Sequence, residues 1–432
     1  MERVGSRWDA SSRGHVLRKV TGRRAVKRRE VGIPEVIRYL LPILLLLLLI
    51  GCPKPDDDII CGQGMMLDAA TCACIPNSHL ADDEVSCECD SLYHWNDDIS
   101  RCVLDTTSHN FTWSYEEIGG QGGQILDLAL GQDDEIWVVG AFVQPDSDNF
   151  APGSWNYNIA TWDGVDWIFS AIPHRQEVYS IQYFSDNDVW VTTIDYPYHW
   201  NGEEWTFYNL SEMGLPSAGL DCWGTSSTNM YFVGLNGGIV HYNGTSFSRI
   251  WYEPTNTMID FEQVCGNGDG SQVFIFGQEK YTSPHPRTIL YLSGSSLSTL
   301  YYHDTDSPGA HSYVTSIHMV NNRLAAKMRN GLLWYDSDLE DDDYYPISES
   351  DFPIDHIGTV SIAGESPNDM ILTVGVGGFF HFNGESWFFD TQIRENYPAL
   401  FLKKTIASDG VFYSVGSIAT GQAGLLAIGR RN

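Results

Sequence analysis

The chain has 432 residues and an acidic composition, with 56 Asp and Glu against 25 Lys and Arg and a net charge of −31. Such a surface repels phosphate backbones and anionic headgroups, so the composition excludes nucleic acid and bare anionic membranes as partners. We attribute the acidity to solubility; cation binding and adaptation to a saline exterior are the alternatives.

Residues 1–51 have the features of a lipoprotein-type secretory signal. A basic stretch, Met1 to Arg38, precedes a short apolar run, Tyr39 to Ile50, which cannot span a bilayer because that takes about 20 residues. The sequence Leu-Ile-Gly before Cys52 resembles the lipobox of bacterial lipoproteins, which implies that Cys52 is the lipidated first residue. An ordinary signal peptide and a short uncleaved anchor are the alternatives. The long basic stretch also fits a true start near Val31 or Val36.

Residues 52–60 form the predicted tether. Residues 1–51 contain 11 of the basic and four of the acidic residues, so the remaining chain has 14 basic and 52 acidic residues and a net charge of −38. Pro53 to Asp58 weakly resembles the surface-export signals of some Bacteroidetes-type lipoproteins; we favour a solvated tether. We therefore expect a cell-envelope protein held in the outer membrane by its lipid, with surface exposure left open.

A cysteine-rich segment, residues 61–105, follows the tether and is predicted to be a compact stalk. Its six cysteines include a Cys-x-Cys pair that occurs twice; they are Cys61, Cys72, Cys74, Cys87, Cys89 and Cys102. An even cysteine number in an exported segment with few aliphatic residues predicts three disulfides, and the connectivity stays open. The second half resembles the C-terminal half of an EGF-type module, so the stalk is EGF-like in style. A zinc site is the rival, but CxxC pairs are lacking.

From about residue 110 the sequence repeats. A short strand pattern, usually ending in Gly, recurs seven times at intervals of 41 to 53 residues, at 136–140, 189–193, 230–234, 273–277, 323–327, 371–375 and 412–416. Behind most copies Asn-Gly or Asp-Gly stands between aromatic residues, at 162–167, 200–205, 242–247 and 382–387, with a weak Ser-Gly copy at 292–297. This second pattern predicts a hairpin with a type I′ turn. Four strands per roughly 45 residues are typical of a propeller blade.

The predicted fold is therefore all-β: a seven-bladed β-propeller over residues 110–432, preceded by the small disulfide-rich module. The last repeat ends after its third strand, 424–429, and residues 111–117 resemble an outer strand. We expect 111–117 to complete the last blade and close the ring, which removes an exposed edge. The domain resembles bacterial propeller lipoproteins with W-[ND]-G-x-x-W repeats and is similar in style to tectonin and Kelch propellers. Propellers host many unrelated functions.

Few residues indicate chemistry. His199, His241 and His381 occupy equivalent places in three repeats, so we assign them a structural role. Cys222 and Cys265 stand at the same distance before the glycine of their own repeat, which predicts matching inner-strand positions; we favour two buried thiols over a disulfide. No known nucleophile, metalloprotease, phosphate-loop or sialidase motif occurs.

An acidic run, Asp338 to Asp343, could offer oxygen ligands to Ca²⁺, but it lacks the glycine and spacing of a defined calcium loop, so we favour a solvated hairpin tip. No other cofactor is expected.

The longest loops on one propeller face carry the aromatic and histidine residues that we predict to bind a ligand: Phe150, Trp155, Tyr157, Tyr281 and His285. The favoured function is noncatalytic binding of an extracellular glycan or protein by this face. A propeller-type glycoside hydrolase or lyase is the first alternative, favoured by an acid pair or arginine cluster in the channel. An envelope assembly or sensory subunit is the second.

Overall fold

The computed structural model describes residues 65–68, 71–75, 77–81, 86–96, 100–120, 123–143, 157–252, 258–279, 285–303, 314–329, 331–336, 339, 341–347, 359–375, 377–418 and 423–432. The predicted signal (1–51), Cys52, the tether and Cys61 lie outside these residues. The chain divides into two compact units, residues 1–61 with 67–72 and residues 62–66 with 73–432.

Seven four-stranded antiparallel sheets form a seven-bladed propeller, which confirms the predicted fold class. Blade one comprises β8 (Gln124–Leu130), β9 (Ile136–Phe142), β10 (Tyr157–Trp162) and β11 (Trp167–Ser170). Blade two comprises β12 (Ser180–Ser185), β13 (Asp188–Thr192), β14 (Pro197–Trp200) and β15 (Trp205–Phe207). Blade three comprises β16 (Asp221–Ser226), β17 (Asn229–Gly234), β18 (Gly238–Tyr242) and β19 (Phe247–Arg249). Blade four comprises β20 (Ile259–Gly266), β21 (Val273–Glu279), β22 (Arg287–Ser293) and β23 (Ser296–His303). Blade five comprises β24 (Val314–Val320), β25 (Arg323–Met328), β26 (Gly331–Tyr335) and β27 (Asp341–Pro346). Blade six comprises β28 (Thr359–Ser366), β29 (Asp369–Val374), β30 (Gly378–Phe382) and β31 (Trp387–Asp390).

The seventh blade takes its outer strand from the other end of the sequence. Strands β32 (Leu400–Ser408), β33 (Val411–Ile418) and β34 (Gly424–Arg431) are followed in the sheet by β7 (Phe111–Ile118), which pairs antiparallel with β34. Trp113 of β7 stacks on Phe379 of blade six, with ring centroids 4.2 Å apart, and its indole N–H donates to Asp390. The strand that closes the ring is therefore also fixed to the preceding blade.

The core lies between neighbouring blades. Strands β17, β21 and β29 are buried along almost their whole length, because the second strand of each blade is covered on both faces by adjacent sheets. This explains why these strands read as continuous apolar runs instead of alternating ones. A short helix, α1 (Gln392–Asn396), and a 3-10 turn, Leu235–Gly237, are the helical elements in the described part of the second unit.

The Asn-Gly and Asp-Gly signatures do form hairpin turns, but the predicted type I′ geometry is wrong. In each of these turns only the glycine has positive φ, for example Gly202 at +93° and Gly384 at +100°. The preceding Asn or Asp side chain accepts hydrogen bonds from main-chain N–H groups further along the turn, as Asn243 does from Thr245 and Ser246. The loop therefore has four residues, and the Asn or Asp is selected for this side-chain bond.

Strands are antiparallel throughout, so the ends of the blades define two faces. The turn face carries the hairpins between strands one and two and between strands three and four. The loop face carries the loops between strands two and three and the connections between blades. No helix in the described ranges is long and apolar enough to cross a membrane.

The N-terminal segment contains β1 (Met65–Asp68), β2 (Thr71–Cys74), β3 (Ser78–Leu80), β4 (Cys87–Cys89), β5 (Tyr93–Asn96) and β6 (Arg101–Leu104). The predicted disulfide-bonded character is confirmed by Cys74–Cys87 and Cys89–Cys102, with Cα atoms 5.7 and 5.6 Å apart. Both bonds join cysteines with the same sequence separation, 13.

The hairpins β3–β4 and β5–β6 are two copies of one structural unit. His79 binds Asp90 and His94 binds Asp105 through equivalent ring nitrogens, at 2.9 and 2.8 Å. Asn77 and Leu92, which stand at equivalent places in the two copies, both have positive φ. Each unit therefore has its own disulfide and polar clasp, which explains how a segment with few aliphatic residues keeps a fold.

The second hairpin is docked on the turn face of blade six. Leu104 is buried in a cluster with Trp334 and Phe382, while Asn368 donates to the carbonyl of Asp105 at 3.0 Å. Thr107 donates its main-chain N–H to the Asn383 carbonyl at 3.0 Å. These contacts fix the orientation of this hairpin relative to the propeller.

Candidate functional site

Seven polar residues occupy one equivalent position on the seven inner strands, and we call them the polar ring. In every sheet this residue pairs with the same position of the second strand, as Asp127 does with Val139 and Lys404 with Val415. In blade order the ring is Asp127, Ser180, Asp221, Gln263, Ser316, Ser361 and Lys404. The inner strands contact one another in a closed circle, so these residues surround the channel.

Five of the ring residues join neighbouring blades. Each of the five accepts the main-chain N–H of the residue after the next ring member: Asp127 from Ile181 (3.1 Å), Ser180 from Cys222 (3.4 Å), Asp221 from Val264 (2.9 Å), Gln263 from Ile317 (2.8 Å) and Ser361 from Thr405 (3.1 Å). The inner strand is the edge of its sheet, so these N–H groups have no strand partner on that side. The polar ring supplies the missing acceptors.

The seam between blades seven and one differs because its ring residue is a cation. Lys404 cannot accept a hydrogen bond, and the N–H of Leu128 is instead bound by Oδ1 of Asp127 at 2.8 Å. The Lys404 Nζ lies 3.9 Å from that same oxygen. Burial acts against the charged form of Lys404, but the carboxylates of Asp127 and Asp221 outweigh it and hold the pKa above its usual value.

Ser180 stands between the two acidic ring members. Its hydroxyl oxygen lies 2.8 Å from Oδ2 of Asp127 and 2.8 Å from Oδ1 of Asp221. One hydroxyl proton serves only one carboxylate, so both contacts are satisfied when one carboxyl is protonated. Burial raises the pKa of Asp127, because it disfavours the charged carboxylate.

A cavity of about 340 Å³ runs along the inner strands from the polar ring toward the turn face. All ring members except Ser180 line it, and the lining continues down the strands to Leu130 and Tyr183. Among the side chains in the lower layers are Gln182, Trp223 and His318. The lining is a mixture of polar and apolar groups.

Two thiols also line this cavity, but the predicted matching of their positions is wrong. Cys222 follows its ring residue by one position and Cys265 by two, since the hairpin of blade four is one residue longer. Both are free thiols. Burial raises the pKa of each, so neither is an activated thiolate. Among the described residues no group of three or more His, Cys, Asp or Glu is placed to hold a metal ion.

The three repeat histidines share one contact. His199, His241 and His381 bond through Nε2 to the residue that begins the second strand of their own blade, at 2.9, 2.8 and 2.9 Å: Asp188, Asn229 and Asp369, respectively. Ser227 lies 3.2 Å from Nε2 of His199, the nitrogen that Asp188 already uses. A catalytic triad needs the two ring nitrogens to serve different partners, so this group has the wrong geometry.

A second polar cluster lies where the segment after the stalk meets blades six and seven. Nδ1 of His109 is 2.7 Å from Nδ1 of His381, and Arg431 of β34 contacts Asp369. Since His381 donates from Nε2 to Asp369, its Nδ1 accepts from His109. Burial is the main cause that lowers the pKa of both histidines, to about 4 for His109. We call His109, His381, Asp369 and Arg431 the junction cluster.

The residues predicted to bind a ligand are only partly within the described chain. Phe150, Trp155 and Tyr281 lie outside it, so their role stays a prediction. Tyr157 begins strand β10 and packs on Phe169, with centroids 5.8 Å apart, so it belongs to the blade and not to the loop. His285 is exposed and lies 3.2 Å from the carbonyl of Glu279. In the acidic run, Asp341–Asp343 begin β27, and Asp343 pairs with Arg323 at 3.9 Å.

The loop face carries half of the exposed large apolar side chains in the described residues. Of ten such residues in the described chain, five lie at the loop-face ends of strands or in connections between blades: Met213, Trp251, Met258, Tyr302 and Phe401. Trp251 is 63% exposed, and the guanidinium of Arg249 lies 3.9 Å from its ring centroid. Exposed aromatic and Met side chains of this kind are typical of interaction surfaces.

Comparison with known proteins shows the fold alone. No protein-family profile matches the chain, and no curated protein matches it. Among solved structures, the chain is similar to YCF48 bound to D1 peptide (TM-score 0.55, 14% identity, 76% of this chain and 99% of that one) and to YCF48 from Cyanidioschyzon merolae (0.52, 13%, 73% and 98%). It is also similar to catalytically inactive virginiamycin B lyase from Staphylococcus aureus with quinupristin (0.54, 10%, 74% and 100%).

Proposed function

We propose that the protein is a noncatalytic lipoprotein of the cell envelope that binds an extracellular glycan or protein partner with its loop face. The observation that carries the proposal is the opposition of two surfaces. The second stalk hairpin docks on the turn face of blade six, while Trp251 and Met258 are exposed on the loop face. This hairpin occupies part of the turn face, and the loop face is left for a partner.

The acid pair in the channel does not favour the hydrolase alternative. Asp127 and Asp221 are the kind of pair that a glycoside hydrolase uses. Here their oxygens accept main-chain N–H groups of Leu128, Ile181 and Val264, as the neutral ring members do at other seams. The pair is explained by blade-to-blade bonding, and we assign it no role as acid and nucleophile.

The structural neighbours support a range of roles for this architecture. One is YCF48 bound to D1 peptide, and another is a catalytically inactive virginiamycin B lyase with quinupristin. Because identity is 14% or less, neither ligand is transferred to this chain. An assembly role remains contained within the binding proposal.

The test uses the whole chain expressed with its N-terminal segment, applied to a glycan array and to envelope extract. Trp251→Ala and Met258→Ala alter the loop face, and Ile168→Ala is the matched control, since Ile168 (54% exposed) is as exposed as Met258 (50%) but lies on an outer strand near the turn face. We expect the loop-face variants to weaken binding by tenfold or more, about 1.4 kcal/mol, and the control to bind normally. A partner retained equally by all three variants would refute the loop-face assignment.

Lipid attachment has its own test. Cys52→Ser should move the protein from the membrane fraction to the soluble fraction and remove the lipid mass from the N-terminal peptide. Cys222→Ser, at a buried thiol in the propeller, is the control and should leave fractionation unchanged. A Cys52→Ser protein that still fractionates with the membrane would contradict the lipoprotein assignment.

A further inference from the structure

The channel contains a charged donor that the protein leaves without a hydrogen-bond acceptor. In the described chain, Lys404 Nζ makes no hydrogen bond, and the closest carboxylate oxygen, on Asp127, is 3.9 Å away. The oxygens of Asp127 and Asp221 are already engaged by main-chain N–H groups and Ser180. The three N–H bonds of the ammonium are therefore available to whatever occupies the cavity.

The same cavity contains acceptors that lack a donor. His318 donates from Nε2 to the carbonyl of Gly364 at 3.1 Å, and burial keeps this ring neutral, with a pKa lowered to about 4. In that tautomer Nδ1 is a bare acceptor. Gln182 donates its side-chain amide N–H to the carbonyl of Tyr183, so its side-chain amide oxygen is the second acceptor in the cavity. A ligand that fits must both donate and accept hydrogen bonds.

The charge of the polar ring and the size of the cavity restrict the class of ligand further. Asp127 and Asp221 beside a single Lys404 make the polar ring unfavourable for an anion. A volume of about 340 Å³ is at the small end for a ligand pocket and too small for a folded peptide loop. Trp223 and Tyr183 belong to the same lining. Aromatic side chains pack well against the apolar face of a sugar ring.

We propose that the central channel is a binding site for one neutral sugar ring, with hydroxyl oxygens on Lys404 and hydroxyl protons on His318 and Gln182. Hydroxyl groups donate and accept, which a carboxylate or an ether does not. This site is separate from the loop face, and it goes beyond the proposed loop-face function.

The test is calorimetric titration of the whole chain with neutral sugars (glucose, galactose, mannose and N-acetylglucosamine) and with glucuronate and galacturonate. We expect saturable binding of at least one neutral sugar and binding of the matching uronate weaker by about tenfold. Lys404→Met should weaken the neutral sugar by tenfold or more, while Lys403→Met, at the exposed neighbouring lysine, should not. His318→Leu, which keeps the polar ring intact, should weaken it by about tenfold and covers the case in which Lys404→Met fails to fold.

Three results would overturn the proposal: no saturable binding of any neutral sugar up to about 10 mM, uronates that bind as tightly as neutral sugars, or equal affinity in the wild type and His318→Leu. The loop-face function would survive each of them, because its own variants, Trp251→Ala and Met258→Ala, lie outside the channel. Conversely, loss of partner binding in those variants with intact sugar binding would separate the two sites.

Discussion

The junction cluster makes the attachment of the stalk sensitive to acid. His109 donates to His381 through Nδ1, and His381 donates to Asp369, which also contacts Arg431. Protonation of both histidines removes the acceptor at the Nδ1–Nδ1 contact and places two new positive charges beside Arg431. Asp369 is the acid in contact with the pair, and its single negative charge does not balance two charged histidines and Arg431. We therefore expect the contact between the stalk and the propeller to weaken below neutral pH.

The magnitude follows from the pKa of His109, which is lowered from 6.5 to about 4, mainly by burial and then by His381 and Arg431. The unfolded chain therefore takes up this proton first as pH falls, so stability is lost between about pH 6.5 and 4. Without solvent screening of the charge, the free energy of unfolding would fall by about 3.4 kcal/mol across this pH range. Because the ring is partly exposed, we expect about 1–2 kcal/mol.

The assay is amide hydrogen exchange and denaturant unfolding between pH 4.5 and 7.5, with Thr107 as the local reporter because its N–H binds Asn383 across the junction. His109→Gln keeps a donor toward His381 but does not titrate, so it should lose less protection in acid than the wild type. His285→Gln, at an exposed histidine on the loop face, is the control. Equal pH dependence of Thr107 protection in the wild type and His109→Gln would refute the reasoning.

Three further changes test other parts of the fold. Lys327 is fully buried and bonded to main-chain carbonyls, and burial lowers its pKa from 10.5 to about 7. Lys327→Met should therefore raise the unfolding free energy at pH 6, by at most about 5 kcal/mol, with the gain nearly gone at pH 10; a gain that does not depend on pH would contradict this. Trp113→Ala should cost about 3–5 kcal/mol in denaturant unfolding because it removes the stack on Phe379, whereas Trp251→Ala should cost little. Replacing Cys89 and Cys102 by Ala should destabilise the second hairpin by about 3 kcal/mol in hydrogen exchange, with propeller amides unchanged.

The propeller could be predicted from the sequence because its evidence is periodic. Seven strand patterns, most of them ending in Gly, and the aromatic-flanked turns repeat often enough that one degenerate copy, at Arg323, does not hide the period. The turn type was wrong because Asn-Gly is compatible with two geometries, and only the structure shows that Asn243 binds Thr245 and Ser246.

The polar ring escaped sequence reasoning for a physical reason. What its members share is a place in space and the ability to reach the next blade, and residues as different as Asp127, Gln263 and Ser361 can do this. The spacing to the end of the repeat also varies because bulges and hairpins differ among blades, which misplaced Cys265 against Cys222. A polar residue at a nearly constant distance before the end of each second strand was the available signal.

Ring closure by β7 imposes an order on the folding of this chain. Thr112 and Asn432, which are joined by a side-chain hydrogen bond, lie 320 residues apart, so the propeller strand that is made first, β7, remains unpaired until β34 has been made. During that wait Phe111 and Trp113, buried in the finished molecule, are exposed on an unpaired strand that other chains could add to. The two disulfide-bonded hairpins just before β7 need only local contacts, so they can form early, next to the still unpaired strand β7. Residues 111–118 therefore form the segment most exposed to intermolecular strand pairing until β34 has been made.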